Sequence, residues 1–240
     1  MATRLGCVKY LNARPLIDGW EGPVEFDHPA ALCRKLAAGA LDVALVSSFE
    51  LLRHPIYFVV DGLAIASDGP VHSVILAHDL PPNELREVVS DPASATSINL
   101  LRVLFPDLQI VPEGKIGGTR GALFIGDQAI AFRRGAGESH QILDLGTEWK
   151  RRTGLPFVYA LWLIHPDYAE KTAIAEALRD RAAQNLDRLD ALIAAEPPAE
   201  REFAEFYFRD CLRFSFGAAE KKGLQTFAEL CAKPIELKLV

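Results

Sequence analysis

Asp42-Val43-Ala44-Leu45-Val46-Ser47-Ser48 is the stretch on which the fold turns. Its middle is apolar at every position, so a strand built from it has no solvent face and needs cover on both sides. That is the situation of an interior strand in an α/β sheet. The residues before it follow the same logic. Positions 5–11 read as a strand, 15–20 as a short helix and 24–27 as a second strand. Pro29 suits the first turn of a helix in which Leu32 and Leu36 lie four apart, and Gly39 ends it. Strand and helix alternating at this spacing predict a doubly wound α/β lobe, with residues 42–48 central in a parallel sheet.

After that strand the pattern changes. Residues 57–66 and 71–78 are two strand-like runs separated by the turn signal Ser67-Asp68-Gly69-Pro70. Pro81-Pro82 opens a new alternation of strand 87–89, helix 94–104, and strands 108–111 and 122–125. Residues 157–164 form another long strand. From Thr172 the chain reads as helix, with Ile174, Leu178, Ala182, Leu186, Leu189 and Ile193 in an apolar stripe that Glu196-Pro197-Pro198 stops. Two further helices, 200–211 and 218–231, are separated by residues 214–217. The layout predicts two α/β lobes. Residues 1–82 begin the first, 83–160 form an inserted second, and 161–240 return as helices to the first, with crossings near 78–86 and 157–165. A cleft between lobes is a usual place for a small ligand.

The 240 residues carry a formal charge of −6 and a pI near 5.6, which leaves no broad basic face for a nucleic acid. The longest apolar runs fall far short of the ~20 residues that span a bilayer. Leu5-Gly6-Cys7 imitates the end of a lipoprotein signal, but only Met1 to Arg4 precede it. A cytoplasmic protein with no membrane partner is therefore expected. Cys7, Cys33, Cys211 and Cys231 fall in no metal-ligand spacing and read as buried reduced thiols, and no metal site is expected.

Four segments place small polar residues where strands end or helices begin. In Lys9-Tyr10-Leu11-Asn12-Ala13-Arg14-Pro15-Leu16, Asn12 stands at a strand-to-helix change, where free N–H groups and the helix dipole favour an anion. Its type equally suits a helix N-cap. Ser47 and Ser48 follow the central strand, at the carboxyl end where open α/β sheets bind ligands; Ser48 also has the type of a cap. In Ser67-Asp68-Gly69-Pro70-Val71-His72-Ser73 a turn comes first, and Ser73 is placed to face a cleft. His72 beside it is a packed or solvated residue more often than a catalyst. Ser94-Ala95-Thr96-Ser97 opens a helix with hydroxyls suited to a carboxylate. Asp127, after Phe124-Ile125-Gly126, fits a ligand contact or a helix cap equally well. No nucleophile–base pair, phosphate loop or dinucleotide glycine pattern is present. The residues alone describe a cleft that binds a small carboxylate without a strong internal base.

Taken in order, several motifs resemble those of the chorismate dehydratase family of the futalosine route to menaquinone. They are Tyr10-Leu11-Asn12-Ala13-Arg14-Pro15-Leu16, the 42–48 strand, Ser67-Asp68-Gly69-Pro70-Val71-His72-Ser73, Thr96-Ser97 and Ile125-Gly126-Asp127. Asp144-Leu145-Gly146 running on to Trp149, then Thr153-Gly154-Leu155-Pro156-Phe157-Val158, continue the series. The resemblance implies a two-lobed α/β fold of the periplasmic-binding-protein-like type II kind, with a ligand cleft between the lobes. It implies a hydro-lyase that turns chorismate into 3-(1-carboxyvinyloxy)benzoate and water with no metal or organic cofactor. Asn12 falls on the asparagine that the family places at the reacting part of the substrate. Ser47 and Ser73 fall on hydroxyl positions lining the cleft, and Thr96-Ser97 on the helix start facing it. The expected substrate contacts are Ser47, Ser48, Ser73, Ser94, Thr96, Ser97 and Asp127 around a catalytic Asn12. Lys9 stands where the family usually has a small polar residue. Two other readings compete: the sister 1,4-dihydroxy-6-naphthoate synthase, and a non-catalytic cytoplasmic binding protein for a small carboxylate.

Overall fold

A computed structural model describes residues 3–90, 95–135 and 139–240. The strands form two sheets. The first holds β1 (Leu5–Cys7), β2 (Val24–Phe26), β3 (Val43–Ser47), β4 (Phe58–Ser67), β10 (Phe157–Ile164) and β11 (Arg213–Phe216). Their spatial order is β11-β4-β10-β3-β1-β2. The second holds β5 (Val74–His78), β6 (Glu87–Ser90), β7 (Gln109–Val111), β8 (Arg120–Ile125) and β9 (Gln141–Asp144), ordered β7-β6-β8-β5-β9.

The strand that decided the reading is interior, and Val43 to Val46 are fully buried. Its sheet is mixed, however. β3 runs parallel to β1 and antiparallel to β10, which arrives from more than a hundred residues away and pairs Ala160 with Ser47. An apolar run shows that both faces are covered; it carries no information on the direction of a neighbour.

Two crossings join the sheets. Residues 68–73 lead from β4 to β5, and helix α6 (Leu145–Thr153) with residues 154–156 leads from β9 back to β10. Ser67 pairs with Phe157 in one sheet and Ile75 with Asp144 in the other, so the crossings run side by side. β5 therefore belongs to the second sheet and all of β10 to the first, on the other side of the divide from the sequence reading. The Ser67-Asp68-Gly69-Pro70 signal was itself the crossing; a turn signal shows that the chain bends and not which sheet it enters.

Helices cover the sheets where their apolar faces dictate. In α2 (Pro29–Ala37), Leu32 and Leu36 are 0 % exposed against β3, and burying each contributes about 1.5–3 kcal/mol. α7 (Lys171–Asp187) lays Ile174, Leu178 and Ala182 on β4 and on the short α1 (Arg14–Ile17). The helical stripe breaks at Arg188, so Leu189 and Ile193 belong to a separate α8 (Leu189–Ala195). The expected 200–211 helix is α9 (Arg201–Phe206) followed by a π turn, Tyr207–Cys211, which leads into β11 where only a separator was expected. α10 (Ala218–Leu230) closes the first sheet, the Phe227 ring lying 4.9 Å from Phe157 and 6.0 Å from Trp149. Among the described residues no helix is long and apolar enough to cross a membrane.

Candidate active site

A cleft of ≈ 650 Å³, its open mouth included, lies where the two sheets face each other. The first sheet supplies Leu45, Val46 and Ser47 from the end of β3, Ile65 from β4 and Tyr159 from β10. The second supplies Ser73 and Val74 at the start of β5, and the first residues of α4 (Ala95–Leu104) and α5 (Gly126–Arg134). Among the described residues no charged side chain lines it. Its polar character comes from hydroxyls, one amide and two helix starts, whose free N–H groups carry partial positive charge. Gly126 makes the close approach at α5 possible. It adopts φ +54°, and a Cβ there would sit 3.4 Å from the Tyr10 ring across the cleft.

Asn12 lies in the 3-10 turn Leu11–Ala13 after β1 and lines the cleft. No side-chain cap bond is made at this turn or at α1, so Asn12 is not the N-cap that its type also allowed. Its Oδ1 is buried without a hydrogen-bond partner, an unusual state for a native acceptor and one that costs about 1–3 kcal/mol when left unpaired. Its side chain lies beside the phenol of Tyr207 and lowers that group's pKa, and the phenol donates to Ser73 Oγ at 2.7 Å. Burial keeps the Tyr207 proton on, raising its pKa well beyond the usual phenol value; the hydrogen bond with Ser73 and the neighbouring Asn12 side chain oppose that rise.

Thr96 ties the second lobe to the end of β3. Its Oγ1 hydrogen-bonds Ser47 Oγ, accepts the Phe49 N–H at 3.0 Å and lies 3.3 Å from Ser48 Oγ. Ser47, Thr96 and Ser97 line the cleft as expected positions, whereas Ser48 is 0 % exposed and donates to Val158 O at 2.7 Å behind the wall. Ser48 has left β3 and takes helical backbone angles just before Phe49, which turns its hydroxyl into the wall toward Val158 O. Ser94 lies outside the described residues. Asp127 stands at the rim, its Oδ1 accepting the Leu11 N–H at 3.4 Å. Burial raises its carboxyl pKa, the Leu11 bond opposes that and nearby Glu196 adds to it. Lys9 is exposed outside the cleft.

The Ser67–Ser73 crossing is held by Asp144. That carboxylate accepts the N–H of His72 at 2.7 Å, those of Val71 and Thr147 at 3.1 Å, and Arg133 at 3.3 Å. Gly146 lets α6 press on the crossing: a Cβ would meet Gly69 O at 2.4 Å and the hydroxyls of Ser67 and Tyr159 at 2.8 Å. His72 takes φ 66°, and its ring packs 5.4 Å from both Phe203 and Phe206. Burial beside Arg133 lowers its pKa. Asp68 is ion-paired with Lys150 and Arg213 at the surface. Cys7, Cys33 and Cys211 are buried thiols with pKa values pushed up to about 12, and Cys231 is half-buried. Among the described residues no group of three or more His, Cys, Asp or Glu could hold a metal ion.

The family model described as "Menaquinone biosynthesis" matches residues 3–233. The chain belongs to this menaquinone biosynthesis family. It is 30% identical to a protein of Thermus thermophilus named chorismate dehydratase, over 96% of this chain and 95% of that one. A Campylobacter jejuni protein of the same name is 25% identical, with 92% and 90% covered. An Archaeoglobus fulgidus crystal structure superposes with a TM-score of 0.73 at 16% identity, covering 95% of this chain and 96% of that one. The periplasmic aliphatic sulphonate binding protein of Escherichia coli gives 0.55 at 15%, covering 98% and 94%. The fold is thus periplasmic-binding-protein-like, as the two-sheet layout indicated.

For a menaquinone biosynthesis family member, the structure adds residues that motif reading passed over. Tyr159 lines the cleft, and its hydroxyl lies 3.1 Å from Ser67 Oγ. Tyr207 sits behind the wall and joins two cleft residues. Neither carries a local signal: Tyr159 is one apolar-looking position in a long strand, and Tyr207 falls in the aromatic run Phe203-Ala204-Glu205-Phe206-Tyr207-Phe208.

Proposed function

We propose that the chain is a chorismate dehydratase, a cytoplasmic hydro-lyase of the futalosine route to menaquinone that forms 3-(1-carboxyvinyloxy)benzoate. The observation that carries this reading is a cleft lined by neutral donors and two helix starts, with no charged side chain on its wall among the described residues. Chorismate is a dianion that needs anion-holding donors, and its conversion needs little help with bond energies. Loss of the C3 proton and the C4 hydroxyl makes an aromatic ring, so the protein has chiefly to hold a reactive conformer.

Among the described residues no general base lines the cleft: His72 is packed among aromatic rings, Asp68 is ion-paired outside, and Asp127 at the rim accepts the Leu11 N–H. The substrate's own enolpyruvyl carboxylate takes the C3 proton. The C3–H electron pair closes the aromatic system, the C4–O bond breaks, and the departing hydroxide leaves as water with that proton. The helix starts of α4 and α5, with Ser47, Thr96, Ser97 and Ser73, hold the carboxylates. The ring hydroxyl is the only O–H of the dianion, and the unpaired Asn12 Oδ1 is the acceptor in wait for it. A hydroxyl whose proton points to Asn12 turns its lone pairs toward the carboxylate that returns the proton.

An ultraviolet spectrum of chorismate incubated with the purified protein tests the proposal. Loss of the cyclohexadiene absorption with appearance of an aromatic enol ether is the expected result. Tight binding with an unchanged spectrum supports the binding-protein reading instead.

A further inference from the structure

Asn12 and Ser73 come from different lobes. Asn12 follows β1 of the first sheet, and Ser73 precedes β5 of the second. Both line the cleft. One group joins them behind its wall, the Tyr207 phenol, 1 % exposed and carried on the π turn that interrupts the C-terminal helical segment. Its hydroxyl donates to Ser73 Oγ at 2.7 Å, and the Asn12 side chain lies beside it and lowers its pKa.

This arrangement has directional consequences. A serine hydroxyl that accepts from Tyr207 keeps its own proton for the cleft, so Ser73 is presented as a donor. Asn12 lies beside the same phenol and lowers its pKa, and its Oδ1 is the buried acceptor without a partner. The π turn that ends α9 brings this aromatic side chain to the seam between the lobes.

We infer that Tyr207 is a positioning residue for the dehydration, its phenol locking Asn12 of one lobe to Ser73 of the other in the orientation the reaction uses. This rests on the proposed activity. Tyr207 touches no substrate; it acts through its two partners, and that separates it from a residue needed only for packing.

The test is a double-mutant cycle on chorismate turnover. Tyr207→Phe keeps the ring and deletes the hydroxyl, and kcat is expected to fall about tenfold or more while KM moves less, because orientation is lost and the binding donors remain. In Asn12→Ala the same Tyr207→Phe change is expected to cost no more than about twofold, since residues acting as one unit do not add. A Tyr207→Phe enzyme with wild-type kcat, or penalties that multiply in the double variant, overturns the inference. Should circular dichroism show Tyr207→Phe unfolded, Ser73→Ala replaces it in the cycle, with non-additivity expected and multiplied penalties contradicting. A wild-type protein that leaves chorismate unchanged defeats the activity itself and is read separately from any variant.

Discussion

Asn12 and His72 are the two residues on which a mechanism here is most easily misassigned. Asn12 has the type of a helix cap and makes no cap bond; it lines the cleft with an unpaired buried oxygen. Both Asn12→Ala and Asn12→Asp are expected to lose about a hundredfold or more in kcat, the first by removing an oriented polar group and the second by placing a charge beside a dianion. Near-normal steady-state rates in both variants contradict a role for Asn12. His72, the histidine nearest the motifs, holds its place by a left-handed backbone and by ring packing. His72→Asn keeps a residue that tolerates this conformation and is expected to retain kcat within about threefold, where a general base would cost about 10²–10⁴.

At the scale of elements, the crossing 68–73 and helix α6 act as a pair. Asp144 gathers the N–H groups of Val71, His72 and Thr147, so Asp144→Asn turns an amide N–H₂ toward donors that had a carboxylate. A stability loss of about 1–3 kcal/mol is expected in urea unfolding, with a parallel fall in turnover because the crossing carries Ser73; an unchanged midpoint contradicts this role. Further along α6, Glu148 is held below the usual carboxylate range by the hydrogen bond from Arg151, with burial opposing and Arg152 adding. Its stabilisation is therefore present above the ordinary glutamate value and lost as pH falls through the lowered one. Glu148→Gln is expected to lower stability by about 0.5–1 kcal/mol at pH 7 and by less at pH 3, as thermal melts at the two pH values check. The element reading from sequence succeeded where periodicity is local. β3, α2 and the start of α4 were legible because apolar spacing and hydroxyls sit in one short window. The sheet to which β5 belongs was not legible, because β5 is buried on both faces in either lobe. Nor was the π turn, which keeps the composition of an ordinary helix.

For the whole molecule, the cleft exists because two sheets meet along paired crossings and the C-terminal segment leans on both. Arg14 of α1 pairs with Glu196, Arg134 of α5 pairs with Glu200, and the Asp127 carboxylate reaches Leu11. Ser47, Ser73, Thr96 and Ser97 were recognisable in sequence because each sits at a strand end or helix start, where α/β sheets bind ligands. Tyr207 was not, since its role depends on a contact spanning 134 residues. Under the proposed function this is a site that supplies orientation and leaves proton transfer to the substrate. The pH dependence of kcat for chorismate tests this most directly, measured from about pH 5 to 9 on the wild-type protein and on Asp127→Asn, the carboxyl at the rim with a raised pKa. The account expects a flat profile in both. A wild-type limb of unit slope that disappears in Asp127→Asn, with turnover lost and binding kept, would show a protein carboxylate taking the proton and contradict it.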